Sequence, residues 1–275
     1  MTEIPPPRLG SSCGSRVLHR FLSRHADARP VRAARRGAER AVELLHSEDA
    51  NPETNGEYAL LRRLGPERLG TVVDVGASRG SWSREVLRIR PDARVFASEL
   101  SEPTRELLRR TLPGAVVLEG LLDREGEVEV KHYPDDDRLT SVHDYPHPLA
   151  AERRRERVTT GDRVAAEHGI ERIDLLKIDA EGADLAVLRG FGKMLGAGRI
   201  RVVQFEYGYA SVLARGFLLD FFELLEPLGY AIGEVHRHGV EPLRYRLERE
   251  NFFGPNLAAV LRSEPGLLDL VVGGH

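Results

Sequence analysis

From residue 70 to residue 261 the chain alternates short apolar runs with longer stretches whose apolar residues recur every third or fourth position. The short runs read as buried strands and the spaced stretches as amphipathic helices. "GTVVDVG", "ARVFASE", "GAVVLEG", "RIDLLKID" and "RIRVVQFEYG" are five strands in order. "SWSREVLRI", "SEPTRELLRRTL", "TGDRVAAEHG", "GADLAVLRGFGKML" and "LARGFLLDFFELLEPLG" are the helices among them, with Thr160 or Asp162 available to cap the third. "REGEVEVKHY" reads as hairpin-like, and residues 133–157 as irregular and polar. "YAIGEVHRH", "LRYRLE" and "PNLAAVLR" close as further strands. This alternation predicts an α/β fold, a mostly parallel sheet with helices on both faces. Such sheets bind ligands at the carboxyl ends of their strands, where the strand order reverses.

Ahead of this core, residues 1–14 are rich in Pro, Gly and Ser and are expected to fray. Residues 15–47 read as helical, with Val17, Leu18, Phe21 and Leu22 on one face and Ala41, Val42, Leu44 and Leu45 on another. A polar loop leads to a short helix at 57–64. The expected organisation is an N-terminal helical extension over 1–54, a core domain over 55–265 and a C-terminal tail over 266–275.

With 275 residues, 41% of them hydrophobic, the chain can bury one sizeable core. A net charge of -3 argues against a dedicated nucleic-acid binder. The basic run "RPVRAARRGAER" is read as a solvated helix face. Cys13 is the only cysteine, so no internal disulfide is expected; with no signal peptide in view, the expectation is a reducing cytoplasm. No run of about 18 apolar residues occurs, so no membrane span is expected.

The chemistry starts in "VVDVGASRGSWS", residues 72–83, where a strand meets an acid and two glycines before a helix opens. Gly76 and Gly80 are spaced G-x-x-x-G, and Ser78 stands where a dinucleotide fingerprint needs its second glycine. A phosphate-binding P-loop would need a Gly-Lys-Ser/Thr ending, which is absent. What remains is a turn that lets a ligand approach the backbone, with free N–H groups suited to a carboxylate. Asp74 offers the opposite sign, suited to an ammonium or a backbone amide. Glu99 ends the next strand, 25 positions after Asp74, where an acid can accept from both hydroxyls of a ribose. A ribose joined to an amino acid describes S-adenosylmethionine. The expected cofactor set is Asp74, Gly76, Ala77, Ser78 and Gly80, then Glu99 and Leu100, with Glu119, Gly120 and Leu121 lining the adenine and Asp179 facing the cofactor from a later strand end. Glu57 can also face the cofactor, although an acid in a helix's first turn has a simpler account in the helix dipole.

The second constellation is "IDLLKIDAEGADLAVLRG". Asp179 ends the fourth strand, and Glu181 and Gly182 open the next helix, where acids also serve as caps. Lys177 lies in a strand expected to be buried, so it needs a partner, and Glu206 at the end of the fifth strand is one candidate. Asp179 and Glu206 are the expected base or acceptor-orienting groups for an alcohol, which must lose its proton on methylation. They are also able to hold a divalent metal such as Mg with the acceptor's oxygens. His143 and His147 sit in the irregular segment and are further candidates to close over the site, His143 with a catalytic role.

These stretches, with "NGEYALLRRL", "VFASELSEPT", "VTTGDRVAAEHGIERIDLLKIDAEGADLAVLRG", "VVQFEYG" and "NFFGPNLAAV", resemble the FkbM-type family of S-adenosylmethionine-dependent methyltransferases. The resemblance runs from about residue 55 to residue 261. It implies a Rossmann-like class I fold with a seven-stranded sheet holding one antiparallel strand. It also implies methylation of a hydroxyl on a small molecule, often a sugar or polyketide, leaving S-adenosylhomocysteine. By position, Asp74, Gly76 and Gly80 would hold the methionine end, Glu99 the ribose, and Asp179, Glu181 and Glu206 the reaction side. Ser78 departs from the family's frequent Asn, Leu100 from Pro and Asp184 from Glu. The first 50 residues lie outside the resemblance, as a cap over the acceptor site or a homodimer contact.

Other readings compete. A methyltransferase for RNA or protein would share the cofactor site and draw on "RPVRAARRGAER" and "ERRRER". A nicotinamide oxidoreductase is opposed by Ser78. A non-catalytic cofactor-binding protein is opposed by the intact acids Asp74, Glu99 and Asp179.

Overall fold

The computed structural model describes residues 20–45, 51–134, 140–144, 148–252, 254 and 256–272. Helix α1 (Arg29–Leu45) carries the basic run, exposed or half-exposed through residue 38. The fraying expected over 1–14 and the apolar positions Val17 and Leu18 lie outside the described residues, as do the side chains of Ala41, Val42, Leu44 and Leu45. Phe21 is exposed.

Helix α2 (Glu57–Leu64) opens the core, followed by β1 (Thr71–Val75), α3 (Ser81–Ile89), β2 (Arg94–Ser98), α4 (Glu102–Thr111) and β3 (Ala115–Leu118). Next come β4 (Gly120–Leu122), β5 (Gly126–His132), β6 (Glu152–Thr160), α5 (Gly161–Glu167) and β7 (Ile173–Ile178). Helices α6 (Asp184–Gly190) and α7 (Gly192–Gly196) lead to β8 (Ile200–Glu206), then α8 (Tyr209–Ala214) and α9 (Leu218–Leu225). The chain closes with β9 (Tyr230–His236), β10 (Gly239–Pro242), β11 (Asn256–Leu261) and α10 (Pro265–Val272).

The main sheet has eight strands in the order β10-β9-β11-β8-β7-β1-β2-β3. This corrects the expected seven: β10 folds back antiparallel on β9 as an extra edge strand. β11 is antiparallel to both neighbours, and the five strands from β8 to β3 run parallel. The strands alternate their apolar residues between two covers, as a sheet buried on both faces must. Val73, Val75, Leu176, Ile178, Val203 and Phe205 join Leu188, Phe191 and Phe222 on one face. Val72, Leu175, Val202 and Val260 join Leu60, Leu64, Val86 and Leu267 on the other. The stretch set apart as a tail carries α10, whose Leu267 and Val271 are buried in that second layer.

Three further expectations change. Residues 133–157 contain part of β6, which pairs with β4 and β5 in a separate three-stranded sheet. Its "ERRRER" stretch lacks apolar alternation because cross-strand charge holds it: Arg155 lies opposite Glu129 and Arg157 opposite Glu127. "LRYRLE" is no strand; Leu243 and Tyr245 bury their side chains, and a 3-10 turn follows at Leu247–Arg249. The single helix expected before residue 230 is broken at Arg215, which takes a left-handed φ of 55°.

Candidate cofactor and acceptor site

The chain runs outward from β1 to β3, then returns to β7 on the other side of β1, so the strand order reverses between β1 and β7. Asp74 stands at that switch and is fully buried. Its Oδ2 accepts from the Ser83 hydroxyl at 2.7 Å, while its Oδ1 has no hydrogen-bond partner. Burial holds its carboxyl above the usual carboxylate range, against the pull of Lys177 and Ser83. A buried orphan acceptor is costly unless something donates to it, and an ammonium group fits that need.

The turn after β1 is tightly built. Gly76 has φ 79°, and a methyl group there would lie 1.8 Å from the Asp179 carbonyl oxygen. The turns after β1 and β7 therefore touch, which only glycine permits. The Gly76 and Ala77 amides both donate to the Ser98 carbonyl. Ser78 takes a left-handed φ of 45°, and its amide donates to Glu99 Oε2 at 2.9 Å. Gly80 precedes α3 with no side-chain cap, leaving the helix's first amides to other acceptors.

Glu99 is buried, and its Oε1 accepts from the Ser101 amide at 3.1 Å. The Glu99 carboxylate thus bridges the turn after β1 and the turn after β2. Leu100 packs against Gly120, where a side chain would meet Leu100 Cδ1 at 2.6 Å. The Glu119 carbonyl accepts from the Ser98 hydroxyl at 2.8 Å, and Leu121 is buried in the apolar core. Of the 119–121 segment, then, backbone rather than the Leu121 side chain adjoins this loop.

On the β7 side, Lys177 is buried and its Nζ lies 3.0 Å from Asp179 Oδ2 and 3.9 Å from Asp74 Oδ1. Its direct partners are these two acids rather than Glu206. Burial pulls the ammonium down, but Asp179, Asp74 and Glu57 outweigh it and hold the lysine above its ordinary range. Glu206 ends β8, and its amide donates to Asp184 Oδ1 at 3.1 Å. The charges of Asp179, first, and Asp184 push the Glu206 carboxyl well above the usual range. Because the Glu206 side chain is open to solvent, the charge of Asp179 rather than desolvation governs that shift. Asp184 itself is buried and pushed up to about 6, by burial first and Asp179 second.

Glu57, buried in the first turn of α2, is held by Asn55, whose side-chain amide donates to Oε1 at 2.6 Å. Its charge reaches Asp74, Lys177 and Glu206. Glu181 has a left-handed φ of 47°, and its carbonyl accepts from the Ser141 hydroxyl at 2.9 Å. His143 is half-buried next to Gly182, and burial lowers its imidazole. His147 lies outside the described residues.

The structure thus gathers Glu57, Asp74, Asp179 and Glu206 electrostatically, brings His143 beside the β7 turn, and sets Glu99 one turn away. It adds Ser83, Lys177 and Asp184, which sequence reasoning left without a site role. Lys177 had a signal, a charge inside an apolar strand; Ser83 and Asp184 had none beyond polarity in a helix's first turn. A separate cavity of about 380 Å³ opens between β3, β6 and α5, where Arg163 is already paired with Glu125 and Glu167. Its lining includes Glu119 of the expected adenine segment but none of Glu57, Asp74, Glu99, Asp179 and Glu206. Among the described residues no helix is long and apolar enough to cross a membrane.

Comparison with known proteins gives matches over part of the chain. The AMB antimetabolite synthetase AmbE of Pseudomonas aeruginosa is 31% identical over 158 residues, 43% of this chain and 7% of that protein. Methyltransferase sdnD of Sordaria araneosa is 29% identical over 153 residues, 43% of this chain and 59% of that protein. The chain therefore spans less than two thirds of either relative. Among solved structures, the methyltransferase FkbM of Methylobacillus flagellatus is 16% identical with a TM-score of 0.46, covering 70% of this chain and 44% of that one. The Methyltransferase FkbM domain itself matches residues 74–232, from the buried acid that ends β1 to the middle of β9. That span is more than half of the protein and contains Asp74, Glu99, Asp179 and Glu206, so the chain belongs to the FkbM methyltransferase family.

Proposed function

We propose that the protein is an S-adenosylmethionine-dependent O-methyltransferase acting on a hydroxyl of a small molecule such as a sugar, glycoside or polyketide. The observation that carries the reading is the buried Asp74 oxygen at the strand-order switch, which no donor hydrogen-bonds and only the Lys177 ammonium approaches, at 3.9 Å, beside a glycine bend and one turn from Glu99. Asp74 would receive the cofactor's ammonium, the open amides of α3 its carboxylate, and Glu99 the ribose hydroxyls. When bound, the cofactor supplies an electrophilic methyl group; the chain's residues hold, align and deprotonate the acceptor. Glu206, held above the usual carboxylate range by Asp179, is a stronger base than an ordinary carboxylate and takes the acceptor hydroxyl's proton. Asp179, ion-paired with Lys177, orients the acceptor. Two carboxylates thus take two roles through their surroundings.

The acids are assigned here to proton transfer and positioning rather than to an ion such as Mg. Among the described residues, the one trio with metal-like spacing is Glu234, His236 and Glu241, on the β9–β10 hairpin. The small-molecule acceptor is favoured over RNA because the arginines of "ERRRER" are engaged by glutamates: Arg153 pairs with Glu129, Arg154 with Glu152, and Arg155 and Arg157 lie opposite Glu129 and Glu127. A relative that is an antimetabolite synthetase agrees with a natural-product acceptor.

Calorimetric titration with S-adenosylhomocysteine tests the cofactor. Binding is expected, and Asp74→Asn weakens it by about tenfold, the loss for one charged hydrogen bond. Absence of binding to the unmodified protein overturns the reading.

A further inference from the structure

We infer that Arg105 and Glu156 are positioning residues for the cofactor loop: the three-stranded sheet reaches across to α4 and fixes the Glu99–Leu100–Ser101 turn. The inference rests on the proposed reading of Glu99 as the ribose acid.

The contact begins as an apparent misplacement. Arg105 is the fourth residue of α4, where a cation opposes the helix dipole. It is also buried, with a side chain 6% exposed. A guanidinium so placed needs compensation. Its Nη1 donates back over the helix start to the carbonyls of Glu99, at 2.7 Å, and Leu100. Its Nη2 pairs at 2.9 Å with Glu156 Oε2, whose side chain is 7% exposed. The other Glu156 oxygen accepts from the Glu102 amide at 3.3 Å. A residue of β6 therefore caps α4, in place of Ser101, which makes no capping bond. Ser101 turns its hydroxyl toward buried His132 of β5, 3.4 Å from Nδ1, and that nitrogen lies 3.2 Å from the Thr140 hydroxyl.

Buried ion pairs add little net stability over well-packed apolar groups, but they fix geometry. This pair fixes the carbonyls of Glu99 and Leu100, while the Ser78 and Ser101 amides fix the Glu99 carboxylate. Together they set the direction in which the Glu99 carboxylate faces. Carbonyls of a turn would otherwise bond water and let the loop drift.

The test compares two ligands by calorimetry: S-adenosylhomocysteine and its 2′,3′-dideoxy analogue, which lacks the ribose hydroxyls. The unmodified protein is expected to prefer the first. In Glu156→Gln, which keeps an acceptor for the Glu102 amide, and in Arg105→Lys, which keeps a cation, that preference falls by about tenfold while analogue binding is unchanged. Circular dichroism and melting verify folding; if Glu156→Gln does not fold, Arg105→Lys decides alone. Equal weakening of both ligands, or no change in either, reduces the pair to a structural role and overturns the inference. An unmodified protein that binds both ligands equally overturns the Glu99 assignment, and this inference with it.

Discussion

Asp179 and Glu206 carry the same functional group on adjacent strands, yet the fold gives them opposite company. Asp179 faces the Lys177 ammonium, and Glu206 faces Asp179 and Asp184. Glu206→Gln is therefore expected to lower turnover by about a hundredfold or more, within the range for a general base, and leave S-adenosylhomocysteine affinity nearly unchanged. Comparable losses in both would place Glu206 with the cofactor. Because the Glu206 carboxyl is raised, the acid limb of a kcat/KM profile should lie above the ordinary carboxylate range. Asp179→Asn, which removes the main cause, should move that limb to lower pH in whatever activity remains. Asp184 gives a stability prediction of its own. Its folded-state value is pushed up from 3.8 to about 6, so ionisation works against folding. Its favourable contribution is present below about pH 4 and lost as pH rises through about 6. Asp184→Asn, whose amide oxygen can still accept from the Glu206 amide, should be more stable than the parent at pH 7 by up to about 3 kcal/mol, and no more stable at pH 4. Urea unfolding at the two pH values measures the difference.

Elements that carry their own periodicity could be read from the chain; elements stabilised by distant partners could not. The five parallel strands are apolar on both faces, so their residues alone define them. β6 is defined by glutamates on β5, outside its own stretch, and the break falls on Arg215, whose left-handed backbone no arginine announces, with Gly216 beside it as the one local cue. The candidate site divides the same way. Its acids and glycines sit in turns at strand ends, where composition is informative. Arg105, Glu156, Ser83 and Asp184 gain their meaning from contacts that only folding creates. Glu250 is a further case. From the loop after β10, its carboxylate accepts from the Leu218 and Leu219 amides at the start of α9 and from the hydroxyls of Tyr207 and Tyr245. Glu250→Ala leaves four donors without their acceptor, two of them backbone, at an expected cost of about 2 to 4 kcal/mol in denaturant unfolding. Asp220→Ala, which removes one bond to the exposed Phe217 amide, should cost about 1 kcal/mol or less.

At the scale of the whole molecule, both faces of the main sheet must be covered, and the last helix completes one of them. Leu267 and Val271 of α10 are almost fully buried in the layer that holds Leu60, Leu61 and Leu64 of α2. Arg63 of α2 also donates to the Leu270 carbonyl at 3.1 Å. The same α2 begins with Glu57, whose charge acts on Asp74, Lys177 and Glu206. Removing residues 265–275 therefore takes two large apolar side chains out of the core, worth roughly 3 to 6 kcal/mol together, and loosens the element that positions Glu57. The truncated protein should melt at a lower temperature and bind S-adenosylhomocysteine more weakly, even where it remains folded. Saturating S-adenosylhomocysteine should restore part of the lost stability, because a ligand that binds only the folded state stabilises it by mass action. An unchanged melting temperature would mean that α10 lies on the sheet without supporting it. A lower melting temperature with unchanged ligand affinity would confine its role to the core and separate α2 from the site.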